Sequence, residues 1–131
     1  MGIEFELEIR PGYVCLVCTG ELTQKSFAEV YEEGLAAAQA HRVEAALLDG
    51  RGVTAGPQST FERFNMGITA VELQRKYSLR CFVAVVAHPP VADPKKFGET
   101  VAANRGILGG VYFDIDEALA AIAERLSTKR R

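Results

Sequence analysis

Apolar and polar residues alternate with a period of two over residues 3–10, where four apolar side chains are separated by three glutamates and followed by Arg10. This pattern predicts a half-exposed strand at the edge of a sheet, with its apolar side chains on one face. Pro11 and Gly12 are typical turn residues, and the apolar segment 13–19 predicts a second strand. The two strands are therefore expected to pair as an antiparallel hairpin.

Apolar residues at helical spacing predict four helices. The first begins after its N-cap, Thr23, and runs to about residue 41. The second follows Pro57, and the third is a shorter helix over residues 94–105. The fourth is capped by Asp114 or Asp116. Each helix is expected to bury the face on which its apolar residues repeat.

The second predicted helix carries two apolar stripes. One stripe consists of Phe61, Phe64, Ile68 and Val71, and the other of Met66, Ala70, Leu73 and Tyr77. Because one stripe is enough to cover a sheet, the helix is expected to have a second neighbour. The protein core, a dimer partner and the wall of a ligand pocket all fit the stripe that contains Met66, and the sequence leaves these three open.

Three further apolar segments predict strands. Residues 43–48 read as a buried parallel strand that stops in the glycine-rich loop 49–56. Residues 79–87 are the most β-like segment and predict a central strand, which the prolines after His88 end. A last short strand over residues 111–113 follows a pair of glycines.

The resulting element order is β-β-α-β-α-β-α-β-α. This order predicts an α/β protein with a mixed sheet of about five strands, an antiparallel edge strand first, right-handed crossovers and four helices.

Length and composition fit one domain over residues 1–131, with a frayed tail at 127–131. The chain has 131 residues, of which 48% are hydrophobic, and a formal net charge of −2. This charge argues against nucleic-acid binding, which needs a basic face. No apolar run approaches the roughly 20 residues of a membrane helix, and no signal-peptide core is present. A cytoplasmic protein without stable membrane insertion is therefore expected.

The three cysteines all lie in strand-like apolar segments. Cys15 and Cys18 have the C-x-x-C spacing of some metal and redox sites, but residues three apart on a strand point to opposite faces. Together with Cys81, they are expected to be buried, reduced thiols that suit a cytosolic compartment. The sequence predicts no metal site and no cofactor.

Three short motifs resemble one protein family. They are Gly20-Glu21-Leu22-Thr23 before the first helix, Leu47-Leu48-Asp49 at the end of the third strand, and the closing YFDIDEA segment over residues 112–118. With the element order, they resemble the SpoIIAA-like or STAS family over nearly the whole chain. The resemblance implies a β-α superhelix shaped like an anti-sigma-factor antagonist, with a core related to lipid-carrying Sec14 domains. It also implies a non-enzymatic interaction module that forms a homodimer and binds a protein partner.

The same resemblance points to Ser59 as a possible phosphorylation site. In antagonists of this family, a serine at the start of the second helix is phosphorylated within a D-S-S-G motif, and the matching segment here is 57–60, Pro-Gln-Ser-Thr. The acid and the glycine are missing, so loss of the switch is favoured. Ser59 is then a capping or surface hydroxyl.

Three polar residues follow predicted parallel strands, whose carboxyl ends gather at one rim of a sheet: Asp49, His88 and Asp114. With Arg51, they form the only candidate acid–base group for an enzyme. Structural roles are favoured instead: Asp49 paired with Arg51, His88 in a loop and Asp114 as a helix cap. The protein is therefore expected not to be an enzyme, and no catalytic residue is predicted.

An alternative within the binding proteins is a pocket for a small molecule or lipid between the second and third helices. Aromatic and methionine side chains suggest it, although ordinary core packing explains them as well: Phe61, Phe64, Met66, Tyr77 and Phe97. The glycine-rich segment after the third strand is also a common ligand position in α/β sheets. The ligand-binding candidates are Asp49, Arg51, Phe61, Phe64 and His88.

Overall fold

A computed structural model describes residues 2–56, 58–77 and 80–129. Its elements in chain order are β1 (Ile3–Arg10), β2 (Tyr13–Glu21), α1 (Gln24–Ala40), β3 (Ala45–Thr54), α2 (Thr60–Tyr77), β4 (Phe82–Val86), α3 (Phe97–Ala103), β5 (Gly109–Tyr112) and α4 (Ile115–Lys129). The five strands lie side by side in the order β1-β2-β3-β4-β5. β1 is antiparallel to β2, and the remaining neighbours are parallel. The predicted mixed sheet with an antiparallel edge strand and four helices is confirmed.

The two faces of the sheet are covered by different helices. On one face, α1 and α2 pack against side chains of β2, β3 and β4, around a core that includes Leu16, Leu35 and Leu48. On the other face, α4 packs Ala118 and Ile122 against the opposite side chains of β3 and β4. The alternation of side chains along each strand produces these two cores.

β3 is longer than the sequence predicts. The segment 49–56 is predicted as a loop, but β3 continues to Thr54, which pairs with Glu21 of β2. That prediction is wrong because β2 extends far enough to offer hydrogen bonds to these residues, which outweighs the low strand propensity of glycine. A Cβ added to Gly50 would lie 2.8 Å from the carbonyl oxygen of Val86, so this position requires glycine.

The shorter elements differ from their predicted bounds in smaller ways. α3 begins only at Phe97, because residues 93–96 form a turn in which the Lys96 N–H donates to the Asp93 carbonyl oxygen at 2.8 Å. α4 continues through 127–129, within the segment predicted to fray. Pro57, Ser78 and Leu79, on which parts of the predictions for the second helix and fourth strand fall, lie outside the described residues.

The stripe of α2 that the sequence left open faces the core. Met66 and Ala70 are buried, and Leu73 and Tyr77 pack against the core that α1 and α2 share with the sheet. On the other stripe, Phe61 at the start of the helix is 71% exposed. α2 therefore packs on the sheet along most of its length, while its first turn extends beyond the core. None of the helices in the described residues is long and apolar enough to cross a membrane.

Candidate functional site

The rim residues have separate structural roles. The carboxylate of Asp49 is buried and accepts hydrogen bonds from Arg51 at Nε (2.9 Å), at the second guanidinium nitrogen (2.7 Å) and at the backbone N–H (3.2 Å). The side-chain hydrogen bonds from Arg51 hold the pKa of Asp49 below its usual range. Asp49 is therefore an ionised carboxylate whose oxygens are occupied, which makes it unsuited to accept a proton from a substrate.

The other two rim residues do not join this pair. Asp114 caps α4, where its Oδ1 accepts the backbone N–H groups of Asp116 (2.6 Å) and Glu117 (3.3 Å). His88 follows β4 and is exposed. Within the described residues, no hydrogen bond links the side chains of Asp49, His88 and Asp114. Hydrogen bonds join Asp49 to Arg51, whereas His88 interacts with Asp49 only through its charge, so the arrangement of these described residues lacks the geometry of an acid–base group.

The cysteines lie on opposite faces of the sheet, as predicted. Cys15 belongs to the core under α4, and Cys18 and Cys81 to the core under α1 and α2; all three are free and buried. Burial raises the pKa of Cys15 and Cys81 to about 11 and that of Cys18 to about 12. Protonated, inaccessible thiols are poor nucleophiles and poor metal ligands. No group of metal-ligating side chains occurs in the part of the chain that the structure describes.

The start of α2 forms a fixed, exposed surface. The Ser59 N–H donates to Glu62 Oε1 at 2.8 Å, and the Glu62 N–H donates to Ser59 Oγ at 3.0 Å, which is a reciprocal capping box. Arg63 donates from its guanidinium to the carbonyl oxygen of Pro90 at 3.1 Å and ties the helix to the loop after β4. We call Ser59, Phe61, Arg63 and Pro90 the α2 N-terminal surface.

A cavity of about 160 Å³ lies between the sheet and helices α1, α2 and α3. Its walls are mainly apolar and include Val30, Leu48, Met66, Ala70, Val83 and Val85. Four charged residues also line it: Arg63, Asp93, Lys96 and Glu99. The cavity is therefore an apolar space with a few charged groups.

The aromatic residues predicted to form a pocket are placed elsewhere. Of the described ones, Phe61 is exposed, Phe64 lies under the guanidinium of Arg105 at 5.5 Å from the ring centre, and the Tyr77 hydroxyl donates to Glu32 at 2.7 Å. The cavity is bounded by both α2 and α3, but it also extends over the sheet to α1, because the stripe that contains Met66 faces inward.

Structural comparison relates this architecture to known proteins. The chain is similar to an anti-sigma factor antagonist from Mycobacterium paratuberculosis, with a TM-score of 0.60, 19% identity, and coverage of 93% of this chain and 95% of that one. It is also similar to an uncharacterized DUF3478-family protein from Shewanella loihica PV-4 with a SpoIIAA-like fold, with a TM-score of 0.52, 16% identity, and coverage of 92% and 93%. This chain has the SpoIIAA-like fold. The resemblance predicted from the sequence is thus confirmed for the fold.

Sequence comparisons add nothing to this result. No family model matches the chain, and no curated protein matches it. The SpoIIAA-like fold therefore rests on the spatial arrangement of the elements.

Two features of this SpoIIAA-like domain were missed by the sequence analysis. The charged cavity residues Arg63 and Lys96 come from different elements and share no motif, so only the fold brings them together. The burial of Gln74, whose amide links α2 to the sheet, could have been predicted from its spacing. Gln74 lies three residues after Val71 and four after Ala70, which places it on the buried face of the helix.

Proposed function

We propose that this protein is a protein-interaction module that acts by binding, and that its partner contacts the α2 N-terminal surface. The observation that carries the proposal is Phe61, whose side chain is 71% exposed at the first turn of α2. Exposed aromatic residues on a rigid support are typical anchors of protein interfaces. Similarity to a protein described as an anti-sigma factor antagonist supports a role in binding another protein.

Three hydrogen bonds hold the chain around Phe61. The capping box between Ser59 and Glu62 fixes the first turn of α2, and the hydrogen bond from Arg63 to Pro90 fixes this turn against the loop after β4. A preformed surface loses little conformational entropy on binding, which favours affinity. The α2 N-terminal surface therefore combines an apolar anchor with a prearranged polar surround.

We propose further that phosphorylation of Ser59 does not control this surface. Helix N-termini favour negative charge, but the Glu62 carboxylate already accepts the Ser59 N–H at 2.8 Å. A phosphate on Ser59 would repel this carboxylate and would remove the hydroxyl oxygen from its capping role. The missing D-S-S-G motif agrees with the same interpretation.

Site-specific photocrosslinking tests the proposed surface. A photoreactive phenylalanine analogue replaces Phe61 in one variant and Glu72, exposed on the same helix, in a control. In extracts of the native host, we expect a discrete protein adduct at position 61 and none at position 72. Equal adduct patterns at the two positions, or none at either, would contradict the proposal.

A small apolar ligand is the second candidate, and the cavity of about 160 Å³ favours it. An apolar void of about 150 Å³ admits a molecule the size of benzene. The volume therefore suits a single ring or a short acyl segment, and it is too small for a whole lipid. Benzene and hexane are suitable probes because neither has a polar group that would need a partner.

Filling the cavity provides the control for this candidate. Ala70 lines the cavity, so Ala70→Leu reduces its volume. In the wild-type protein, the methyl NMR signal of Met66 is expected to shift in a saturable way with either probe, and in Ala70→Leu it is expected not to shift. Unsaturable or absent shifts in the wild type would exclude this function. The homodimer and the cytoplasmic location expected from the sequence stay predictions.

A further inference from the structure

The apolar side of the edge strand β1 is exposed. Among the described residues, four large apolar residues are exposed: Phe61 and three on β1. The exposed fractions of those on β1 are 38% for Phe5, 42% for Leu7 and 50% for Ile9. We call these three the β1 apolar row. In the hairpin register, they lie opposite Cys18, Leu16 and Val14, which are all buried. The row therefore continues the core face of the sheet beyond the part that α1 covers.

The two edges of the sheet differ in whether side chains cover their backbone hydrogen-bonding groups. At β5, the side chain of Lys96 donates to the carbonyl oxygen of Val111 at 2.8 Å, and the carboxylate of Glu99 accepts the Val111 N–H. Side chains from the α3 region thus occupy both backbone groups of Val111, which a further strand would need. At the other edge, β1 ends the strand order, and β2 is its one partner among the described strands. The β1 edge is the one available for pairing.

The opposite face of β1 carries negative charge. Glu4, Glu6 and Glu8 alternate with the β1 apolar row, and an ion pair joins Glu8 to Arg10 at 2.6 Å. Glu4 and Glu6 are exposed. The strand thus offers an apolar face, a row of carboxylates and an edge of backbone hydrogen-bonding groups.

This charge pattern discriminates between possible occupants of the edge. Antiparallel pairing of two β1 strands with both apolar rows on one face would place glutamates of the two copies opposite each other. Like charges directly opposite across strands are destabilising, so a second copy fits poorly. A strand with lysine or arginine at the alternating positions would instead place opposite charges against Glu4 and Glu6.

We propose that β1 accepts a sixth strand from a partner protein, in the form of an extended segment in which apolar residues alternate with lysine or arginine. Backbone hydrogen bonds to the open edge hold the segment in place. Its apolar side chains extend the β1 apolar row, and its cations pair with the glutamates of the other face. This edge is distinct from the α2 N-terminal surface, so the proposal does not rest on that assignment.

Peptide titration tests this inference. The probe is a blocked peptide of about nine residues, the length of a strand, that alternates valine and lysine. Its control carries glutamate in place of every lysine. Backbone amide NMR signals of 3–10 are expected to shift with the lysine peptide, which binds about tenfold more tightly than the glutamate peptide. Signals of β5 are expected not to move, because Lys96 and Glu99 occupy that edge.

Charge reversal gives the matched variants. Glu6→Lys removes an exposed carboxylate from β1, and Glu72→Lys makes the same change in net charge on α2. Glu6→Lys is expected to lower the affinity for the lysine peptide about tenfold and to raise the affinity for the glutamate peptide. Glu72→Lys is expected to change neither affinity by more than about twofold. Equal affinities for both peptides, or shifts confined to residues outside β1, would overturn the proposal. Concentration-dependent self-association that shifts the β1 signals would also overturn it, in favour of a second copy.

Discussion

The side chain of Gln74 in α2 pairs with the backbone of Leu108 as a neighbouring strand would. Its Nε2 donates to the Leu108 carbonyl oxygen at 2.8 Å, and its Oε1 accepts the Leu108 N–H at 2.8 Å. The same Nε2 also donates to the carbonyl oxygen of Cys81 at 2.8 Å. One buried amide therefore links α2 to the residues that precede β4 and β5.

Replacement of Gln74 by leucine is expected to destabilise the protein by about 3 kcal/mol, because it leaves buried backbone groups at Leu108 and Cys81 without partners. Gln39→Leu, on the exposed side of α1, is the control and should change the free energy of unfolding by less than about 0.5 kcal/mol. Urea denaturation followed by circular dichroism measures both. Equal stability of the two variants would contradict the role assigned to Gln74.

Loss of the Asp49–Arg51 pair should produce a pH-dependent loss of stability. The pKa of Asp49 is lowered in the folded protein, so its contribution is present above the unfolded pKa of about 3.9 and is lost as the pH falls through the folded value. Arg51→Met is expected to lower the free energy of unfolding by about 2 kcal/mol at pH 7, because it leaves a buried carboxylate without its cation. The loss stays at this level because half of the Arg51 side chain is exposed, where solvent screens the pair.

The same variant should approach the wild type as the pH falls below the lowered pKa of Asp49, where the carboxylate is protonated in both proteins. Arg10→Met, which removes an exposed pair with Glu8, is the control and should cost less than about 0.5 kcal/mol. Unfolding free energies measured across this pH range test the account. If the unfolding free energy of Arg51→Met were lower than that of the wild type by the same amount at every pH, the ion pair would not be the cause.

Gly50 should tolerate no side chain. A Cβ at this position would lie 2.8 Å from the Val86 carbonyl oxygen, which belongs to the backbone of β4 and cannot move independently. Gly50→Ala is expected to lower the free energy of unfolding by about 2 kcal/mol. Gly56→Ala is the matched control, because a Cβ there has no neighbour within 4 Å, and it should be neutral or slightly stabilising. Thermal unfolding that ranks the two variants in the opposite order would contradict the close packing of β3 and β4.

The first strand and the first helix could be predicted because their signals are local. The alternation over residues 3–10 and the Thr23 cap depend on neighbouring residues, and the structure has both β1 and the Thr23 N-cap. The continuation of β3 could not be predicted, because it depends on the length of β2 and on a close approach of β4. Helical spacing likewise could not show that the first turn of α2 extends beyond the core and leaves Phe61 exposed.

The candidate site was less predictable than the fold. His88 and Asp114 follow β4 and β5, whereas Asp49 and Arg51 lie inside β3, and proximity to a strand end does not fix where a side chain points. The local backbone decides this: Asp114 turns to the free amides of α4, and Asp49 turns to Arg51 two residues along β3. A cavity formed by the sheet and three helices likewise has no sequence signature, because its lining residues are separated along the chain.

The affinity of the partner captured at position 61 tests the central claim most directly. Isothermal titration of that purified partner should compare wild-type protein with Phe61→Ser, and with Glu72→Ser as the control on the same helix. Phe61→Ser is expected to weaken binding by at least about tenfold, while Glu72→Ser leaves it nearly unchanged. An unchanged affinity for Phe61→Ser would contradict the assignment of the α2 N-terminal surface as the binding site.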